Sequence, residues 1–269
     1  MSRLNQVLDQ ARQAGRKALI PYLTAGDPAP DQTVPLMHAL VRGGADVIEV
    51  GVPFSDPMAD GPVIQAACER ALAHGVHIGQ VLDMVRHFRE DDAETPVVLM
   101  GYLNPVEAMG YERFATAAVE AGVDGVLLVD LSAEEGEETV VSLQAAGLET
   151  VLLAAPTTAA QRLPSICALA SGFVYYVALK GVTGAGNLDL DDLQARVETL
   201  REHTRLPVAV GFGVRDAETA AQVGRCADAV VVGSALVALV AEHAGRPDDA
   251  LQLLEARVAE MRQALDQLT

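Results

Sequence analysis

The 269-residue chain sets 19 basic against 37 acidic side chains, a net charge of −18, and half of its residues are hydrophobic. That balance repels nucleic acid and anionic membrane surfaces and so argues against both as partners. The apolar half is ample for a large buried core.

In chain order, MSRLNQVLDQARQAGRKA (1–18) reads as an amphipathic polar helix and not as a signal peptide. Eight short apolar runs follow: ALIPYL (18–23), DVIEV (46–50), PVVLM (96–100), GVLLV (125–129), TVLLA (150–154), FVYYV (173–177), PVAVG (207–211) and DAVVV (228–232). The runs are continuous rather than alternating, as expected of strands buried on both faces of a parallel sheet. Helical spacing fills the gaps, as in TVPLMHALVRGG (33–44; Val34, Met37, Leu40 and Val41) and LDDLQARVETLREH (190–203; Leu190, Leu193, Val197 and Leu200). Glycines in Gly43-Gly44-Ala45-Asp46 and Ala121-Gly122-Val123-Asp124 suit left-handed helix ends ahead of the next strand.

The gap after the second strand holds an additional helix, GQVLDMVRHFRE (79–90), and PDDALQLLEARVAEMRQALDQL (247–268) forms a long closing helix. The expected fold is therefore α/β: a TIM (β/α)8 barrel with extra N-terminal, post-strand-2 and C-terminal helices. A doubly wound open sheet is the alternative, but it more often stops at five or six strands. No linker breaks the chain, so residues 1–269 read as a single domain. Cys68, Cys167 and Cys226 form no CxxC pair and read as free thiols of a reducing, cytoplasmic setting. No apolar run reaches the ~20 residues of a membrane span.

In a barrel, chemistry sits at the C-terminal strand ends. Glu49 lies there, between Ile48 and Val50. Neighbours on a strand point to opposite faces, so outward Ile48 and Val50 put Glu49 inside the barrel mouth. A carboxylate there is costly to desolvate, which favours a catalytic acid over a structural ion pair. Asp56 and Asp60 flank Pro57 in the loop that follows; both also suit ordinary turns, and Asp60 equally suits the cap of a helix starting near Pro62. Glycine-rich stretches at 181–186, 211–214 and 233–235 follow late strands, where helix N-termini and backbone N–H groups hold phosphates. The first of them also suits a mobile lid. Of Tyr175 and Tyr176, one must face inward.

A phosphate site beside inward carboxylates points to proton or C–C bond chemistry on a sugar phosphate. A Schiff-base aldolase needs a lysine; the chain has two, Lys17 before the first strand and Lys180 beyond the sixth, and Lys180 keeps that alternative open. His38, His74, His77, His87, His203 and His243 all fall in helical or pre-helical segments, so no metal is implied.

The stretches PYLTAGDP (21–28), IEVGVPFSDPMADGPVIQ (48–65), MGYLNP (100–105), APTT (155–158), FVYYVALKGVTGAG (173–186), VGFGV (210–214) and VVGSALV (231–237) stand in the order and spacing of one family. The chain resembles the tryptophan synthase alpha subunit family over nearly its whole length. The resemblance implies cleavage of indole-3-glycerol phosphate to indole and glyceraldehyde 3-phosphate. It implies Glu49 as general acid and base, with Asp60 holding the indole N–H. Its indole pocket matches Tyr22, Ile64, Met100, Leu127, Leu153, Tyr175 and Phe212. Its phosphate site matches Gly184, Gly213, Gly233 and Ser234. Its mobile loop matches 179–189, with Thr183 closing towards Asp60.

The resemblance further implies an α2β2 complex, no cofactor in this chain, and pyridoxal phosphate in a beta subunit reached by a tunnel. Pro53, Asp56, Asn104 and Pro105 match the surface facing that partner. A stand-alone relative that releases free indole is an alternative reading.

Overall fold

The computed structural model describes residues 2–178, 189–211 and 213–268. Eight parallel strands close on themselves in sequence order: β1 (Ala18–Thr24), β2 (Ile48–Gly51), β3 (Val97–Gly101), β4 (Gly125–Leu128), β5 (Glu149–Ala154), β6 (Val174–Val177), β7 (Val208–Gly211) and β8 (Ala229–Val232). Each lies within or against its expected apolar run. The expected helices are present as α1 (Arg3–Gln13), α2 (Thr33–Arg42), α4 (Ile78–Asp91), α9 (Leu190–Arg201) and α12 (Pro247–Asp266). The others described are α3 (Pro62–Ala73), α5 (Leu103–Met109), α6 (Tyr111–Ala121), α7 (Glu137–Ala145), α8 (Leu163–Leu169), α10 (Ala217–Cys226) and α11 (Ser234–Glu242).

Strand alternation sorts the core into two shells. Ile48, Val50, Leu99, Val126 and Val210 point out and pack under the helices. Ile20, Val47, Val98, Leu127, Val151 and Phe173 point in and fill the barrel. Helix α1 closes the N-terminal end by laying Leu4, Leu8 and Ala11 on that inner cluster. Its approach needs glycine: a Cβ at Gly172 would stand 2.8 Å from the Leu4 side chain.

The aspartates just ahead of even-numbered strands repeat one device. Asp46, Asp124 and Asp228 accept the backbone N–H of Leu19, Val97 and Val208, each on the preceding odd strand. Each is also ion-paired: Asp46 with Arg16 and Arg262, Asp124 with Arg3 and Arg89, Asp228 with Arg201. The C-terminal face is thus left to loops while the opposite end is clamped by charge. The helix ends follow the glycine expectation, with Gly122 left-handed (φ 86°) after α6 and Gly44, rather than Gly43, taking the positive φ (96°) after α2.

Candidate active site

Glu49 is held in register between Tyr22 of β1 and Val98 of β3. It is 1% exposed, and its Oε1 meets no hydrogen-bond donor among the described residues. Burial, reinforced by the nearby charge of Asp60, raises its pKa to about 8. Glu49 is therefore mostly a neutral acid at pH 7, holding a proton in an apolar barrel mouth.

Asp60 lies in the loop from β2 to α3. Its N–H donates to Pro57 O (3.0 Å), and its carbonyl accepts from Gln65 Nε2 (2.8 Å). The expected capping role is not seen: Gly61 is the N-cap of α3, with Pro62 at its first position. The Asp60 carboxylate instead accepts a hydrogen bond from the Tyr102 hydroxyl (2.9 Å). Burial raises the Asp60 pKa, and the Tyr102 hydrogen bond opposes that rise.

Tyr22 and Tyr175 flank the carboxylates from β1 and β6. Tyr175 is the inward member of its pair, since Tyr176 packs in the outer shell. Both phenols are pushed up, first by burial and then in part by the charges of Glu49 and Asp60. The Tyr22 hydroxyl also shares a 3.1 Å hydrogen bond with Thr24 Oγ1. Leu127, Met100 and Leu153 join the inner cluster, and Ile64 and Met100 pack against Tyr22. These apolar side chains thus pack around the end of the barrel where the two acids lie.

Beside it, Gly233 caps α11 and Ser234 opens the helix, so the first-turn N–H groups face the strand-8 end of the barrel. Gly233 lies against Tyr22 and Ile64: a Cβ there would stand 3.8 Å from the Tyr22 ring. Gly213 takes a positive φ (79°) after β7.

The family model for the tryptophan synthase alpha chain matches residues 8–266. The chain belongs to the tryptophan synthase alpha chain family. Among its relatives, the tryptophan synthase alpha chain of Thioalkalivibrio sulfidiphilus is 61% identical over 99% of this chain and 100% of its own. Subunit alpha of Legionella pneumophila tryptophan synthase superposes with a TM-score of 0.92 at 49% identity, covering 99% of each chain. A structure of Mycobacterium tuberculosis tryptophan synthase gives 0.87 at 35% identity, over 98% of this chain and 100% of that one. By family the chain is a lyase of tryptophan biosynthesis built on a TIM barrel.

Several expected site residues, namely Lys180, Thr183, Gly184 and Phe212, lie outside the described residues, as does the expected lid apart from Asp189. Lys17 is at the other end of the barrel, donating to Ala227 O (2.9 Å). Of the residues expected to face a partner, Asp56 and Asn104 are exposed, Pro105 is half-buried and Pro53 is buried. Met58, in the same loop, is 86% exposed and carried no sequence signal beyond lying in the motif.

Tyr102 and Thr24 are the site residues that sequence reasoning missed. Each stands inside a quoted motif, MGYLNP or PYLTAGDP, and the motif was the available signal. Among the described residues, no group of three or more His, Cys, Asp or Glu could hold a metal, and no helix is long and apolar enough to cross a membrane.

Proposed function

We propose that this chain splits indole-3-glycerol phosphate into indole and glyceraldehyde 3-phosphate, with Glu49 moving the proton. The observation that carries the reading is the buried Glu49 carboxyl, unpartnered at Oε1 and raised to about 8, next to a second acid. At neutral pH it donates its proton to C3 of the indole ring. Asp60 accepts a hydrogen bond from the ring N–H and stabilises the positive charge that the indolenine develops. The Glu49 carboxylate then takes the proton from the glycerol hydroxyl beside the breaking bond. The C–C electrons return to the ring, indole leaves, and Glu49 ends protonated as it began.

Tyr22, Ile64, Met100, Leu127, Leu153 and Tyr175 would enclose the ring, with Phe212 completing the wall. The phosphate would lie on Gly213, Gly233, Ser234 and Gly184, and Thr183 would close towards Asp60. We read residues 1–269 as one domain acting in the cytoplasm. The partner is a beta subunit in an α2β2 assembly. That subunit would carry pyridoxal phosphate and receive the indole, and Asp56, Asn104 and Pro105 would lie at the contact. Pro53, buried in the same loop as Asp56, would back that contact.

Steady-state release of indole from indole-3-glycerol phosphate, measured with and without a beta subunit, tests the reading. Turnover near the wild-type value in Glu49→Gln would sink it.

A further inference from the structure

The Tyr102 side chain touches the β2–α3 loop at both ends. Its ring stacks on Phe54 (centroids 5.0 Å apart, planes 28° apart), and its hydroxyl accepts the Ala59 N–H (3.0 Å) while donating to Asp60 Oδ2 (2.9 Å). The residue is 4% exposed, directly after β3 and directly before α5. We propose that Tyr102 is a positioning residue: it anchors the loop to the rigid end of β3 and fixes the direction of the Asp60 carboxylate.

Three arguments support this. The backbone of Asp60 is already held by Pro57 O and Gln65, which sets where the residue sits but not where its carboxylate points. Among the described residues, the Tyr102 hydroxyl is the donor seen on that carboxylate, and it engages Oδ2, leaving Oδ1 for a ring N–H. A hydroxyl that accepts from a backbone amide has its own hydrogen directed away from that amide, so the Ala59 contact orients the donor towards Asp60. A phenylalanine would keep the stack and lose both hydrogen bonds. The hydrogen bond also favours the charged form of an acid that burial otherwise pushes towards neutrality.

The inference rests on the proposed role of Asp60, and its test separates the two. Wild type, Tyr102→Phe, Asp60→Asn and the double variant are compared in indole release across pH, with thermal melting as a check on folding. Tyr102→Phe should lower kcat by about 10- to 100-fold, the scale of a hydrogen bond to a charged group. KM should change little, and the acidic limb of the profile should move to higher pH. In the Asp60→Asn background the same substitution should change kcat by less than about twofold, because the group it positions is gone.

An unchanged kcat and acidic limb, or an equal loss in both backgrounds, overturns the proposal. Should Tyr102→Phe fail to fold, Phe54→Leu loosens the stack while keeping the hydroxyl; its loss must likewise vanish without Asp60. If wild type releases no indole, the reaction assignment fails but the positioning does not. Titration of Asp60 by carboxyl carbon NMR then decides it: the pKa should rise in Tyr102→Phe, and an unmoved pKa overturns the inference.

Discussion

The Tyr22 hydroxyl fills the space where Gly51 lacks a side chain: a Cβ at Gly51 would stand 2.0 Å from it. The Tyr175 hydroxyl lies in the same way at Gly211, at 2.1 Å. Tyr22 pairs with Glu49, and Gly51 follows two residues later on the same face of β2. The glycine therefore lets a phenol lean over the strand that carries the acid. Gly51→Ala should push the Tyr22 ring out of place, cost about 1–3 kcal/mol as overpacking does, and cut indole release at least tenfold. In a Tyr22→Ala background the same substitution should cost little further stability, as read from denaturant melts of all four proteins. A Gly51→Ala protein with wild-type stability and turnover would contradict the close approach.

Glu49 also makes a prediction about stability. Its folded pKa, about 8, lies above the ordinary value of 4.5. The unfolded chain thus loses the proton first as pH rises. Stability falls from about pH 4.5 to about pH 8 and is flat beyond; below about pH 4.5 both states are protonated and the penalty is absent. Glu49→Gln removes this titration. The variant should gain on wild type as pH rises across that window, by on the order of 5 kcal/mol at 1.4 kcal/mol per pH unit, while losing about 100-fold or more in turnover. Melts of both proteins at pH 5 and pH 8 give the comparison, and a difference independent of pH would refute the buried neutral acid.

The barrel and the inward, buried position of Glu49 were legible in the sequence for one physical reason. Strands buried on both faces must be apolar throughout, so Glu49 stands out within DVIEV, and alternation then places it inside. Tyr102 was not legible because its role depends on a contact 42 residues away in sequence. The capping expectation for Asp60 failed because Gly61, one residue on, starts the helix and frees the carboxylate for Tyr102. Helix α5, seven residues long, is too short for a periodic signal. Pro53 lay in a matched motif, but burial is a property of the folded loop and of no local pattern.

Asp60 contributes to the raised Glu49 pKa through its charge, after burial. Asp60→Asn should therefore lower the Glu49 pKa below about 8 and draw the basic limb of the rate profile to lower pH, besides reducing turnover. Titrating Glu49 by carboxyl carbon NMR in both proteins reads the shift directly. No movement would mean the two acids do not sense each other.

Asp124 tests the opposite end of the barrel. Its side chain is nearly fully buried and accepts the Val97 N–H (2.8 Å) while pairing with Arg3 and Arg89. Removing one partner of a buried pair leaves the others uncompensated, at a cost of about 3–5 kcal/mol. Asp124→Ala takes from the Arg89 guanidinium, which is only 11% exposed, its nearer carboxylate and leaves it Asp92 at 4.0 Å. The loss should therefore fall within that range, whereas Arg12→Ala, whose pair with Asp9 is exposed, should cost under about 1 kcal/mol. Because Asp124 lies on the face away from Glu49 and Asp60, kcat of the folded fraction should stay within about twofold, as for distant independent sites. Urea melts and initial rates at low temperature separate the two effects. A large loss of kcat in fully folded Asp124→Ala would show that the clamped end and the barrel mouth are coupled.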